Sequence, residues 1–480
     1  MPISTNDHEH PHTQNRYAVI PTAEKLNADQ RTSGKGVTIA FLDSGFYPHP
    51  DIASRVIAFH DIHGEEALFD MTARPQGHHW HGTQTAVACA GDGSLSDGLY
   101  RGLASEAKLV LVKLSKDGRI SDRSIEDGLR WVTANREKYN IRILNMSLGG
   151  DADLPTAESC VNRLVEELVA SGVVVTVAAG NSANARSIPP ANAPSVITVG
   201  GYSDENGFEP NGFDLYHSSY GETADGLVKP ELIAPAMFVA APILPGTADY
   251  ERAEALSQLA AAPDYFFPVL MNELWELTGL DTSIVDTPID IARGLAEQEL
   301  RRLKIVATHY QHVDGTSFAA PIVASVVGQM IEANPGISPA AVKNILVSTA
   351  TRLAGKPTLR QGFGMINAPK AVEMARKESH QLGSKEFFAP RIESDRIVFR
   401  FHDDAAHKVA LCGDFNGWGM SGDNFRRCVD GLWHAEIRCR PAGTYRYKFL
   451  VDGSRWIEDP SHAFKEDDGH GGFNSLLTIG

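Results

Sequence analysis

Cysteine is scarce. The 480 residues contain five, Cys89, Cys160, Cys412, Cys428 and Cys439, an odd number scattered without metal-ligand spacing. That excludes a disulfide framework and a cysteine-built metal site, and it fits a reducing compartment. Positive charge is in deficit as well: 44 Lys and Arg stand against 60 Asp and Glu, a net charge of −16. So acidic a chain is a poor partner for nucleic acid or an anionic membrane, and neither is expected. The opening stretch from Met1 to Asp7 has no basic cap, no apolar core and no cleavage site. Neither a signal peptide nor a membrane span is expected there, and the protein reads as cytoplasmic. Residues 1–16 read as a disordered tail, with His8, His10 and His12 part of it. Composition says nothing of oligomeric state.

The length calls for two domains. In the first, Val37-Thr38-Ile39-Ala40-Phe41-Leu42 is a short, mostly apolar run entered from Gly34-Lys35-Gly36. It predicts a buried parallel strand with Asp43 at its carboxyl end. His81-Gly82-Thr83 opens a small-residue stretch reaching Ala90, which predicts a helix packed deep in a domain and stopped by Gly91. Ser317, within Gly315-Thr316-Ser317-Phe318-Ala319-Ala320-Pro321, opens a second such helix, with Pro321 early enough that its missing N–H costs little. Each motif alone is an ordinary turn or helix start. Together, an Asp, a His and a Ser beside small residues are the parts with which a hydroxyl attacks an acyl carbon. Two further runs add to them. Ile141 to Ser147 leads into Leu148-Gly149-Gly150, an edge that an extended peptide can pair with through its main chain. Val173 to Ala179 ends in Gly180-Asn181, whose amide side chain is a candidate oxyanion donor.

In the chain order Asp, His, Ser, these motifs resemble the subtilisin-like serine protease family. The resemblance runs from about residue 17 to about residue 375, apart from one insertion. It implies an α/β fold, a parallel sheet with helices on both faces, and serine endopeptidase activity on protein or peptide substrates. It assigns the orienting acid to Asp43, the general base to His81, the oxyanion amide to Asn181 and the nucleophile to Ser317. The substrate-pairing strand falls on Ser147, Leu148 and Gly149, and part of the first specificity pocket on Ala178, Ala179 and Gly180. Lys229-Pro230-Glu231-Leu232-Ile233-Ala234-Pro235 resembles the family's segment before the nucleophile. Gly91 to Ser94 and Gly98 to Ala104 resemble the intracellular-type branch rather than the calcium loop of secreted relatives. Asp51 matches a position that often helps ligate calcium, but one carboxylate falls far short of the roughly six to eight oxygens the ion takes. No metal or other cofactor is expected to be required, and calcium is the one ion the resemblance raises. Pro189-Pro190 falls where a cis peptide is implied. Asp314, Phe318, Ile322 and Ala236 depart from the usual residues without removing a reacting group. Too few residues precede Asp43 for a folding prodomain, and Tyr17 to Pro21 are expected to lie across the cleft as a short leader.

Between Ala236 and Gly315 the chain is longer than the family needs. The runs Tyr250 to Leu259 and Ile291 to Leu300 have helical spacing with charged faces, predicting a helical insertion at about 245–304. Tyr265, Phe266, Phe267 and Trp275 crowd its middle, either as its own core or as a lid or docking surface near the cleft. The peptidase domain is thus read as 17–376, followed by a polar linker at 377–386. Beyond it, alternating runs at Ile397 to Phe401, Lys408 to Leu411 and Tyr445 to Val451, divided by Asn416-Gly417 and Asp452-Gly453, predict a β-sandwich over 387–480. Gly413-Asp414-Phe415-Asn416-Gly417-Trp418, Tyr447-Lys448-Phe449 and Asp459-Pro460 resemble the glycogen-binding type of α-glucan module, an immunoglobulin-like fold. That resemblance puts sugar-stacking rings on Trp418 and Trp456 and hydroxyl-binding groups on Lys448 and Asn474. The alternative is a structural sandwich in which the same residues serve packing or a protein contact. The whole reads as a serine endopeptidase working through an acyl-enzyme and tethered to α-glucan. Two rivals stay open: a carbohydrate-binding adaptor with a silent peptidase domain, and a regulatory protease whose insertion recruits a partner.

Overall fold

In the computed structural model the strand from Thr38 to Asp43 is buried on both faces, which is why its sequence is continuously apolar rather than alternating. The structure describes residues 19–64, 74–150, 152–381, 390–392, 395–401, 403, 405–419, 423–428, 432–441, 443–460, 462 and 465–479. The tail at 1–16, Tyr17, Ala18 and the second half of the expected linker lie outside them. Seven parallel strands form the central sheet: β1 (Thr38–Asp43), β2 (Val56–Asp61), β3 (Lys108–Lys113), β4 (Ile141–Met146), β5 (Val174–Ala178), β6 (Ile197–Ser203) and β7 (Leu232–Pro235). They are ordered β7-β6-β5-β4-β1-β3-β2, with Asp214–Leu215 paired antiparallel to β6.

The pleat divides the core in two. Ile39 and Phe41 face one layer, with Phe318, Val323 and Val327 of the helix Thr316–Ala333. Ala40 and Leu42 face the other, with Leu129 and Val165 of the helices Asp122–Asn135 and Cys160–Ala170. Helices therefore cover both faces, as a parallel sheet requires. The helix Thr316–Ala333 is long and apolar enough by composition to cross a membrane, yet it is the central buried helix of this layer. At the carboxyl edge of the sheet, β1 ends in Asp43, β4 runs into Ser147 and β5 ends in Ala178. Open α/β sheets bind ligands at that edge.

The insertion leaves and re-enters through a small antiparallel sheet of Val239–Pro242, Tyr310–Val313 and Ile305–Ala307. It contains the helices Ala248–Ala261, Phe267–Thr278 and Ile289–Arg302, packed on Leu256, Leu259, Phe267 and Met271. Its aromatic cluster divides: Phe267 is buried and Trp275 packs against the same core, whereas Tyr265 is 86% exposed and Phe266 is exposed beside it. Gly91 does end the His81 helix, but with φ −59° rather than in the left-handed region. A side chain there would meet Val87, so close approach is what favours glycine. Pro189-Pro190 is cis, and so is Lys229-Pro230. The helix Ala368–Gln381 runs on into the segment expected as linker. Val19 is buried against Tyr100, Val306 and Tyr310, and the Ile20 amide donates to Asn206 Oδ1.

The C-terminal domain is two antiparallel sheets. One pairs Arg391–Ile392, Arg396–Phe401, Trp433–Arg438 and Arg426–Arg427; the other pairs Asp423–Asn424, Val409–Gly413, Gly443–Val451, Phe473–Ile479 and Lys465–Asp467. Val409, Leu411, Tyr447 and Phe449 point between the sheets, which leaves Ala410, Cys412, Lys448 and Leu450 on the opposite face. Against the first domain, the Phe473 ring stacks on Phe363 at 4.5 Å and lies under the Arg352 guanidinium at 4.1 Å.

Candidate active site

Asp43 is carried into place by the end of β1, where burial leaves its carboxylate few partners. Oδ1 accepts from the Ser44 amide at 2.7 Å, and His81 Nδ1 lies 2.8 Å from the same oxygen. Thr85 Oγ1 reaches Oδ2 at 3.4 Å. An ionised carboxylate only accepts, so Nδ1 is the protonated nitrogen and Nε2 is left as the base. Burial opposes charge on His81, but the Asp43 carboxylate outweighs it by charge and hydrogen bond, and the imidazole pKa sits above its ordinary value of 6.5. His81 stands in the first turn of the helix His79–Ala90, and Gly82 lets that helix touch β1. A Cβ on Gly82 would come 2.3 Å from Gly45 O and 2.9 Å from Asp43 Cβ.

Ser317 is the second residue of its helix, partly exposed, and its carbonyl accepts from Ser147 Oγ at 2.7 Å. The His81 ring lies 6.1 Å from that of the next residue, Phe318. Among the described residues the structure closes the Asp43–His81 hydrogen bond and makes none to the Ser317 hydroxyl. Substrate-free sites commonly leave that second bond long. Asn181 Oδ1 accepts from both the Thr316 amide and Thr316 Oγ1, each at 2.9 Å. The Thr316 N–H can only donate, which fixes the amide's orientation and leaves Nδ2 without a partner among the described residues. Beside it, Gly180 has φ 101°, and a side chain there would strike Ser219 Oγ at 2.6 Å. Ala178 and Ala179 are buried next to it. Leu148 and Gly149, by contrast, spend neither N–H nor C=O on the rest of the described protein.

On the outer face of the second domain, the Trp418 and Trp456 rings lie 6.3 Å apart, inclined at 47°. Trp456 is 41% exposed, and Trp418 adopts φ 58° with Nε1 donating to Asp414 Oδ1 at 2.9 Å. Lys448 pairs with Asp468. The register Tyr447↔Ser475 sets Asn474 on the strand beside Lys448. Cys412 and Leu450, on the same face, form an apolar floor under Trp418.

The subtilase family's sequence pattern matches residues 34–365. The chain belongs to the subtilase family. Residues 385–463 match carbohydrate-binding module 48, the isoamylase N-terminal domain. Serine protease AprX of Bacillus subtilis (strain 168) is 31% identical over 359 residues, which is 73% of this chain and 69% of that protein. Subtilisin BL of Lederbergia lenta is 26% identical over 341 residues, 71% of this chain and 91% of its own. A solved protease structure from Pseudoalteromonas arctica covers 74% of this chain and 93% of its own at 22% identity, with a TM-score of 0.49. This subtilase is accordingly an enzyme, a serine endopeptidase with a carbohydrate-binding module.

Three features of the subtilase were not legible in its motifs. Thr316 orients Asn181 through two hydrogen bonds. Trp80 stands 49% exposed, edge-on to the His81 ring at 5.3 Å. The fully buried Asp51 accepts from three donors: Tyr310 OH at 2.6 Å, Ser94 Oγ at 2.8 Å and the Leu95 amide at 3.3 Å. O–H and N–H groups pointing at both carboxylate oxygens do not suit a cation. Among the described residues no group of three or more His, Cys, Asp and Glu is gathered to hold a metal. Of these features only the Thr316 pair had a sequence signal, a hydroxyl residue directly before Ser317.

Proposed function

We propose that Ser317 is the nucleophile, His81 the general base, Asp43 the acid that orients it, and Asn181 Nδ2 with the Ser317 amide the oxyanion donors. His81 Nε2 takes the hydroxyl proton as Ser317 Oγ bonds to the scissile carbonyl carbon. The carbonyl oxygen becomes the oxyanion received by the two donors. The imidazolium then protonates the leaving amine, the C–N bond breaks, and water hydrolyses the acyl-enzyme by the same route. The substrate main chain pairs with Ser147, Leu148 and Gly149, and its side chain before the scissile bond enters between them and Ala178, Ala179 and Gly180.

The observation that carries this reading is the Asp43–His81 hydrogen bond at 2.8 Å, part-buried with its carboxylate buried, and the Asn181 amide locked by Thr316 so that its NH₂ stays available. Hydrolysis of a fluorogenic peptide tests it. Wild type should turn over, and Ser317→Ala should lose all but a residual rate; equal rates would reject the assignment. No metal is required in this reading, because Asp51 is satisfied by protein donors. A reducing, cytoplasmic setting belongs to the same proposal, supported by five free cysteines.

The second domain is proposed to tether the enzyme to α-glucan. Support comes from the two neighbouring tryptophans with Lys448 and Asn474 on one face, since flat rings with polar neighbours suit a sugar. Retention on immobilised amylose should be lost in Trp418→Ala. Equal retention would make this domain a structural sandwich.

A further inference from the structure

We propose that the hollow beside the Lys116–Arg119 hairpin receives an acidic side chain of the peptide, so that this enzyme prefers substrates with Glu or Asp near the cleaved bond. The inference rests on the assignment of Ser317, His81 and Asp43 and says which peptide they are offered.

The Leu114 amide donates to Asp43 O at 2.8 Å and Ser115 Oγ donates to Ser44 O, so the chain leaves β3 in contact with the Asp43 end of β1. It turns at once: Lys116 and Arg119 exchange main-chain hydrogen bonds, both at 2.9 Å, around Asp117 at φ 50° and Gly118 at φ 73°. Two central residues at positive φ make the tight hairpin turn for which Asp-Gly is suited. The chain then enters the helix Asp122–Asn135, and a Cβ on Gly150 would come 2.8 Å from Asp122 Oδ1. The hairpin thus spans from Asp43 and Ser44 to the far end of the Ser147–Gly149 edge. A peptide paired with that edge therefore runs past the hairpin, with its successive side chains alternating between the two faces of the paired strand.

The hollow measures about 570 Å³ and is lined by His63, Lys116, Asp117, Arg119 and Ile120, within the usual range of about 300–1,000 Å³ for ligand pockets. Lys116 and Arg119 are both exposed and neither has an ion-pair partner among the described residues. On the next helix, Arg123 and Arg130 both pair at 3.0 Å, with Asp127 and Glu126. Two cations with no ion-pair partner among the described residues, beside the cleft of a chain of net charge −16, are a local reversal of sign. Among the described residues the lining holds one carboxylate, Asp117, against them. Ile120, in the same lining, offers an apolar surface for the methylenes of a Glu.

The test is a set of quenched peptides sharing one cleaved bond, with Glu, Ala or Lys placed in turn at each position either side, run on the full chain. An exposed charge pair is worth a factor of about 1.5–5, so two cations predict kcat/KM about tenfold higher for Glu than for Lys at one or two positions. The ratio should shrink at high salt, because surface charges are screened. The hairpin closes through its backbone, so Lys116→Glu with Arg119→Glu keeps the turn and should invert the ratio, and the double change to Ala should erase it. A flat scan in wild type, or a preference that survives in both double variants, overturns the subsite. Should Ser317→Ala cleave these peptides as fast as wild type, the active-site assignment fails and takes the subsite with it. If Ser317→Ala is inactive and the scan is flat, only the subsite fails.

Discussion

Gly82→Ala puts a single methyl where the His81 helix crosses β1. The added carbon would sit 2.3 Å from Gly45 O, 2.9 Å from Asp43 Cβ and 2.9 Å from Phe46 Cε1. Ordinary contacts begin near 3.5 Å, so the helix must retreat by about 1 Å. None of the three neighbours yields easily, since one is backbone and the other two, at the end of β1 and in the loop just after it, are buried side chains. A retreat of about 1 Å would stretch the 2.8 Å Asp43–His81 bond beyond hydrogen-bonding range. Misplacement on that scale costs about 10²-fold in rate, and overpacking of this kind about 1–3 kcal/mol of stability. We therefore expect Gly82→Ala to fold, to melt several degrees lower, and to lose about two orders of magnitude in kcat/KM on a fluorogenic peptide. Activity within threefold of wild type would refute the claim that this close approach sets the catalytic geometry.

Other expectations follow from the same geometry. The general base must be neutral and the His81 pKa is raised, so kcat/KM should fall as pH drops through a midpoint above 6.5. In Asp43→Asn only the opposing effect of burial is left, so the residual activity should titrate at a lower midpoint, with the rate down by roughly 10⁴; an unmoved midpoint would contradict the assignment of His81 and Asp43. Asn181→Ala should lower kcat by about 10²–10³ with little change in KM, a magnitude that comes from subtilisin itself rather than from this chain. Tyr310→Phe strands a buried Asp51 oxygen and should cost roughly 1–3 kcal/mol in chemical denaturation. A chelator should leave the wild-type melting temperature unchanged, and a clear drop would mean that a metal serves where Tyr310 is placed.

The catalytic strand was legible because burial on both faces writes itself as an unbroken apolar run, and Asp43 follows that run directly. The helices opened by His81 and Ser317 were legible for a related reason: small residues permit deep packing, and both helices are buried along most of their length. Trp456 and Lys448 were assigned by resemblance alone, and strand alternation is what turns Lys448 outward between the buried Tyr447 and Phe449. What escaped were contacts without a local period. Tyr310 meets Asp51 across 259 residues, and no spacing announces such a pair. The aromatic run Tyr265-Phe266-Phe267 divides between surface and core because it opens a helix, where neighbours point in different directions. Val19 packs on Tyr100 and Tyr310, a neighbourhood that no pattern in the opening residues specifies.

The central claim is that the Ser317 hydroxyl is made nucleophilic by His81 and Asp43. Incubation with a fluorophosphonate followed by intact mass and peptide mapping tests it most directly. The account predicts one adduct per chain, on Ser317, absent from Ser317→Ala and much slower to form in His81→Ala. An unmodified wild-type protein, or an adduct that persists in Ser317→Ala, would contradict it.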